Sequence, residues 1–176
     1  PNYMHDETYV AQVYASALGG GMASRLFQEV REKRGLCYTI FAQAGAYTDT
    51  GMTTIYAGTV GNQVADLARI TIDEMKRAAE DFSEIETTRA KSQMKAGLLM
   101  GLEGPSSRAE RMARMVQIWN YVPPLDNVVE KIEAVSRDDL RRYAERMAIN
   151  TPMALALYGP VANAPDREAL QLARAA

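Results

Sequence analysis

Hydrophobic and polar positions along the chain change period several times, and each change marks an element. Residues 1–5 carry no period and read as loop. Val10, Val13, Tyr14, Ala17 and Leu18 then recur at helical spacing, which predicts a helix over about 7–18 with Asp6 as its N-cap. Leu26, Phe27 and Val30 mark the apolar face of a second helix over 22–33, on which Arg25 and Glu29 stand four residues apart and can pair on the exposed side. Residues 38–47 and 52–60 are rich in Thr, Tyr, Ile and Ala, and Thr48-Asp49-Thr50-Gly51 supplies the turn of a hairpin between them.

Helical patterns fill the next ninety or so residues. Val64, Leu67, Ala68, Thr71, Ile72 and Met75 line one face of a helix, and Ser83-Glu84-Ile85-Glu86 opens another with a capping box. That helix runs to about Leu102 and stops at the breaker pair Gly104-Pro105. Ser107-Arg108-Ala109-Glu110 repeats the capping-box pattern and starts a helix through Trp119 with Met112, Met115, Val116 and Trp119 as its stripe. Asp126 caps a short helix to Ala134, and Ser136-Arg137-Asp138-Asp139 starts one ending near Met147. The apolar run from Thr151 to Tyr158 reads as a central strand buried on both faces, ended by Gly159-Pro160. This order predicts an α+β fold with helices packed on a mainly antiparallel sheet, one domain over 1–160, and a C-terminal tail over 161–176 with a weak helix from Pro165.

Composition narrows the function. The 176 residues, 47% hydrophobic, suffice for one domain with a core, and a net charge of -2 gives no global attraction to nucleic acid or acidic membranes. No apolar run approaches the ~18 residues of a membrane span. The single cysteine, Cys37, excludes an internal disulfide, and nothing marks a base that would make it a nucleophile. The single histidine, His5, reads as an exposed residue at a helix start. With one of each, a His/Cys zinc site would need carboxylates or another chain, and the spacing His-x-x-Glu-His is absent, so no catalytic zinc is expected on this chain. The ten methionines read as adaptable core filler and the mixed-sign run 137–146 as a solvated helix face.

The densest chemistry lies at the joint between the first two helices and the hairpin. Gly19, Gly20 and Gly21 separate the helices; a phosphate cradle would want a preceding strand and a following lysine, and neither is there. Arg31, Lys33 and Arg34 crowd the end of the second helix, where cations complement the carbonyl end of its dipole, and Gly35 is a credible C′ residue. Taken alone, Arg31 reads as a surface cation and Tyr38 as a strand aromatic. A helix end and a strand start joined by a short turn can also aim both at one groove, and a forked guanidinium beside a phenolic donor suits a peptide carbonyl and the oxyanion formed on it.

The stretch from Gly19 to Tyr38, Gly-Gly-Gly-Met-x-Ser-Arg-Leu-Phe-Gln-Glu-x-Arg-Glu-Lys-Arg-Gly-Leu-x-Tyr, resembles the C-terminal, non-metal half of the pitrilysin/insulinase-type zinc metallopeptidases, the group that includes mitochondrial processing peptidase. The hairpin, the helical run with Ser-Arg-Ala-Glu-Arg-Met and the closing Leu-Tyr-Gly-Pro extend the likeness over most of the chain. The resemblance implies a half-domain that walls a peptide cleft, with zinc on an N-terminal half or active partner subunit and unfolded peptide as substrate. It implies catalytic support from Arg31 and Tyr38. For Gly19, Gly20 and Gly21 it implies a place near the substrate, compatible with the alternative of a tight interhelical joint. The family pattern has a further strand before the first helix, so the chain is expected to begin inside the domain and to be inactive alone. A non-catalytic scaffold or inactive partner subunit of a processing-peptidase-like complex is the second reading, and either the bacterial cytoplasm or periplasm fits.

Overall fold

A computed structural model describes residues 1–162 and 164–175, with the side chains of 172–175 left aside. The first helix, α1 (Glu7–Gly19), is buried on the side carrying Val13, Tyr14, Ala17 and Leu18. Its start is capped differently from the sequence expectation. Asp6 makes no capping bond; its carboxylate accepts from Lys131 Nζ at 2.8 Å, while His5 Nδ1 accepts from the Glu7 amide at 3.1 Å. A cation from elsewhere in the fold outcompetes the local amides.

The hairpin forms as expected. Strands β1 (Thr39–Ala46) and β2 (Gly51–Gly58) pair antiparallel with Phe41 opposite Tyr56. Ile40 and Ala42 face α1, and the alternate positions place Phe41 and Tyr56 outward, stacked at 5.1 Å between centroids. Gly19 lets α1 reach the strand: a Cβ there would stand 2.4 Å from the Ala42 nitrogen.

Five helices follow the hairpin: α2 (Val64–Asp81), α3 (Glu84–Met100), α4 (Pro105–Trp119), α5 (Leu125–Ala134) and α6 (Arg137–Ile149). The capping boxes Ser83/Glu86 and Ser136/Asp139 are both formed. The one expected at Ser107 is not. Pro105 takes the first helical position, where its missing N–H costs nothing, so Gly104 becomes the N-cap and Ser107 lies inside the helix. Asp126 likewise sits in the first turn of α5, behind Pro124 as N-cap. Helix α2 packs on α6, and α1 on α3 and α6, around a core in which Tyr14 meets Phe82 edge-on at 5.9 Å and Tyr143 at 5.2 Å. A final helix, α7 (Arg167–Ala175), buries Leu170 against this layer through contacts with α2 and α6.

The expected central strand at 151–158 is overturned. Among the described residues the sheet has only β1 and β2, and Leu155, Leu157 and Tyr158 are exposed. An apolar run becomes a buried strand only where neighbouring strands take its amides and carbonyls, and none lies beside it here. The fold is α+β, with helices layered on a short antiparallel sheet.

Candidate functional site

The second helix expected over 22–33 is a π-helix, Phe27–Glu32, entered through turns at Met22 and Ala23. The Lys33 amide donates to the Gln28 carbonyl at 3.0 Å, five residues back. The termination is correspondingly wide: Gly35 N donates to Arg31 O at 2.9 Å and Leu36 N to Val30 O at 3.0 Å, each bond spanning one residue more than in a Schellman cap. Gly35, at φ 62°, makes the left-handed turn into β1.

Buried Leu26 and Val30 fix the inner face of this segment, and Arg25 fixes its start. Arg25 does not pair with Glu29. Its side chain, 9% exposed, donates to Glu86 through Nε at 2.6 Å and Nη2 at 2.8 Å, to Asp81 through Nη1, and lies 4.6 Å over the Phe82 ring. Two carboxylates at the α2–α3 joint outbid one on the same turn. Glu29 instead accepts from Lys33 Nζ at 2.5 Å and Arg34 Nη1 at 2.8 Å, and these hydrogen bonds hold its carboxyl below the usual carboxylate range.

That sorting singles out Arg31. Two of the three cations at the helix end are taken by Glu29, and the nearest carboxylate to Arg31 is that of exposed Glu32, at 3.6 Å. The Arg31 guanidinium carbon instead lies 4.5 Å from the Phe27 ring centroid and 5.8 Å from that of Tyr38. The two residues are thus side by side; the Arg31 side chain is 34% exposed and Tyr38 86% exposed. The Tyr38 amide donates to Gly58 O at 3.1 Å, which pins its backbone to the end of β2. Together with Leu36, Val60 and Gln63, Tyr38 lines an open groove of about 580 Å³. Cys37 alternates inward, as expected, and burial pushes its thiol up against the opposing charge of Arg31.

The glycines sit at the other end of the π-helical segment. Gly19 is buried against β1, a Cβ on Gly20 would stand 2.6 Å from the Ser16 carbonyl oxygen, and the Gly20 carbonyl accepts from Gln93 Nε2 at 2.5 Å. Close packing on backbone accounts for Gly19 and Gly20 locally, whereas at Gly21 a Cβ would meet only the movable end of the Gln93 side chain. Among the described residues no group of three or more His, Cys, Asp or Glu could hold a metal ion, and no helix is long and apolar enough to cross a membrane. His5 and Cys37 serve as a helix-start acceptor and a buried thiol, so this donor set does not fit a zinc site.

Phe27, which the sequence places on the apolar face alone, also lies under the Arg31 guanidinium. Its signal was an aromatic placed four residues before a helix-end arginine.

The class is that of an α+β domain whose described residues offer no metal-binding cluster and whose Arg31 and Tyr38 side chains lie together at its surface. The chain belongs to the family described as the Peptidase M16 inactive domain, whose profile matches residues 1–94. It is 35% identical over 161 residues, 91% of its length, to an uncharacterized zinc protease of Streptomyces coelicolor. Over 92% of its length it is also 35% identical to the uncharacterized zinc protease YmxG of Bacillus subtilis. The chain spans 34% and 40% of these two relatives, little more than a third of each. In fold it is similar to a chain of complex III from Candida albicans, with TM-score 0.74 at 23% identity over 82% of this chain and 37% of that one. A protease from Helicobacter pylori superposes with TM-score 0.69 at 21% identity over 83% and 35%.

Proposed function

We propose that this domain is the non-metal half of a zinc-dependent peptidase and forms one wall of its peptide-binding cleft. Zinc and the general base belong to the other half, an N-terminal half or an active subunit. Arg31 and Tyr38 donate hydrogen bonds to the substrate carbonyl and to the oxyanion that develops when water attacks it. Gly19, Gly20 and Gly21 contribute backbone near the bound peptide.

The observation that carries the reading is the Arg31–Tyr38 pair: the guanidinium carbon 5.8 Å from the tyrosine ring centroid, the phenol exposed and the arginine partly so, the guanidinium without a hydrogen-bonded carboxylate among the described residues. Buried partners would consume such donors, whereas a forming oxyanion rewards donors already aimed at it. A pure scaffold, the second reading, has no use for that arrangement. The deciding experiment measures turnover in the complete peptidase, both halves present. Arg31→Ala and Tyr38→Phe should each slow it, by roughly 100- to 1,000-fold for a well-placed oxyanion donor, with smaller effects on KM. Unchanged turnover in both variants would overturn the assignment.

A further inference from the structure

We infer that Phe27 is a positioning residue for Arg31: its ring holds one face of the guanidinium and leaves the in-plane donors free for substrate. The inference rests on the reading of Arg31 as an oxyanion donor. A guanidinium donates only in its plane; its faces are weakly hydrated and stack on aromatic rings. A carboxylate could also fix the side chain, but it would occupy those donors and neutralise the charge. Glu29 plays that part for Lys33 and Arg34. Among the described residues Arg31 has only the loose 3.6 Å ion pair with exposed Glu32, too long for a hydrogen bond, and lies 4.5 Å over the Phe27 ring.

Phe27 is half-buried and packs against the core, a task any apolar side chain of similar size performs. What only an aromatic ring adds is the negative face that attracts a cation. It opens the π-helical segment, whose start is clamped through Arg25 and whose inner face is fixed by Val30, so the ring is a fixed platform under a long side chain. At the end of the segment the cations are thus held in two ways, Lys33 and Arg34 by a carboxylate and Arg31 by an aromatic ring.

The test uses the complete peptidase with its zinc-bearing half. Phe27→Leu keeps the apolar packing and should lower kcat roughly three- to thirty-fold, the span expected for losing one cation–π contact, with KM changed less than twofold. Replacing Phe27 with 3,4,5-trifluorophenylalanine keeps the ring's shape but withdraws electron density from its face, and turnover should fall toward the leucine level. In an Arg31→Ala background, Phe27→Leu should cost nothing further. Full turnover in the fluorinated enzyme, or an undiminished Phe27→Leu effect without Arg31, would overturn the inference, and the fluorinated enzyme decides it even where the leucine variant fails to fold. If Arg31→Ala slows the enzyme while Phe27 substitutions do not, only the positioning role is lost; if Arg31→Ala leaves turnover unchanged, the positioning role falls together with the arginine half of the proposed donor pair.

Discussion

The Arg25 guanidinium meets the Glu86 carboxylate fork to fork, Nε donating to Oε1 at 2.6 Å and Nη2 to Oε2 at 2.8 Å. The same Oε2 accepts from the Ser83 amide at 3.0 Å and hydroxyl at 2.7 Å, so one carboxylate closes the start of α3 and anchors the segment carrying Arg31. Burial pushes the Glu86 carboxyl up; the Arg25 fork and the Ser83 donors overcome it and leave the group below the usual carboxylate range. A depressed carboxyl contributes stability that is present above its unfolded pKa and lost as pH falls through the folded one. Arg25→Met should therefore destabilise the domain at pH 7 by about 3 kcal/mol, the low end for breaking a buried pair, and should remove that component of the acid-side loss. Urea unfolding at pH 7 and pH 3 measures both.

Arg31→Lys should fail to restore the turnover lost in Arg31→Ala. An ammonium keeps the charge but has neither the fork nor the flat face that stacks on Phe27. Steady-state kinetics of the two variants in the complete peptidase makes the comparison, and lysine activity equal to wild type would count against directional donors.

Gly19 and Gly35 are both glycines of this joint but for different reasons, and alanine should separate them. At Gly19 a Cβ would meet the Ala42 nitrogen at 2.4 Å and its Cβ at 2.7 Å, so α1 must back away from β1 at a cost of about 1–3 kcal/mol for overpacking. At Gly35 nothing lies within 4 Å, and the cost comes only from φ 62°, about 1–2 kcal/mol. Thermal melts rank them. Gly35→Asn, which tolerates the left-handed region, should recover most of the second loss, while no substitution should recover the first.

Tyr14→Phe should leave stability unchanged or raise it by up to about 1 kcal/mol, because removing a buried hydroxyl that has no partner relieves its desolvation. The Tyr14 hydroxyl is fully buried and, among the described residues, without a hydrogen-bond partner; burial pushes its phenol far up, beyond the range in which it could titrate in a working enzyme. Chemical denaturation of the two proteins gives the difference directly.

Local chemistry was legible in the sequence except where another group, distant or adjacent, took its place, as Pro105 does ahead of Ser107. Ser83/Glu86 and Ser136/Asp139 cap their helices as their spacing predicts. Asp6 does not, because Lys131 takes its carboxylate, and Arg25 abandons Glu29 for two acids more than fifty residues away. Such outcomes depend on tertiary neighbours that no window of sequence contains. The pattern Leu26, Phe27, Val30 fits α and π turns alike, so the widened turn was invisible until its hydrogen bonds were seen. The run 151–158 had the composition of a central strand, but composition is silent on whether partner strands exist. As for the site, charge and spacing alone left Arg31 and Tyr38 an ordinary cation and an ordinary aromatic. The longer motif around them singled them out, and the structure sets them side by side.

The widened turn between Phe27 and Glu32 holds one residue more than α-helix would need to cover the same arc. Deleting a residue between Phe27 and Arg31 would let the segment rewind as an ordinary α-helix with its two ends facing much as before, because the wide turn already absorbs the extra residue. Phe27 and Arg31 would then stand three positions apart instead of four, and the guanidinium would lose its present seat over the ring. In this domain, the aim of one side chain is stored as a count of residues.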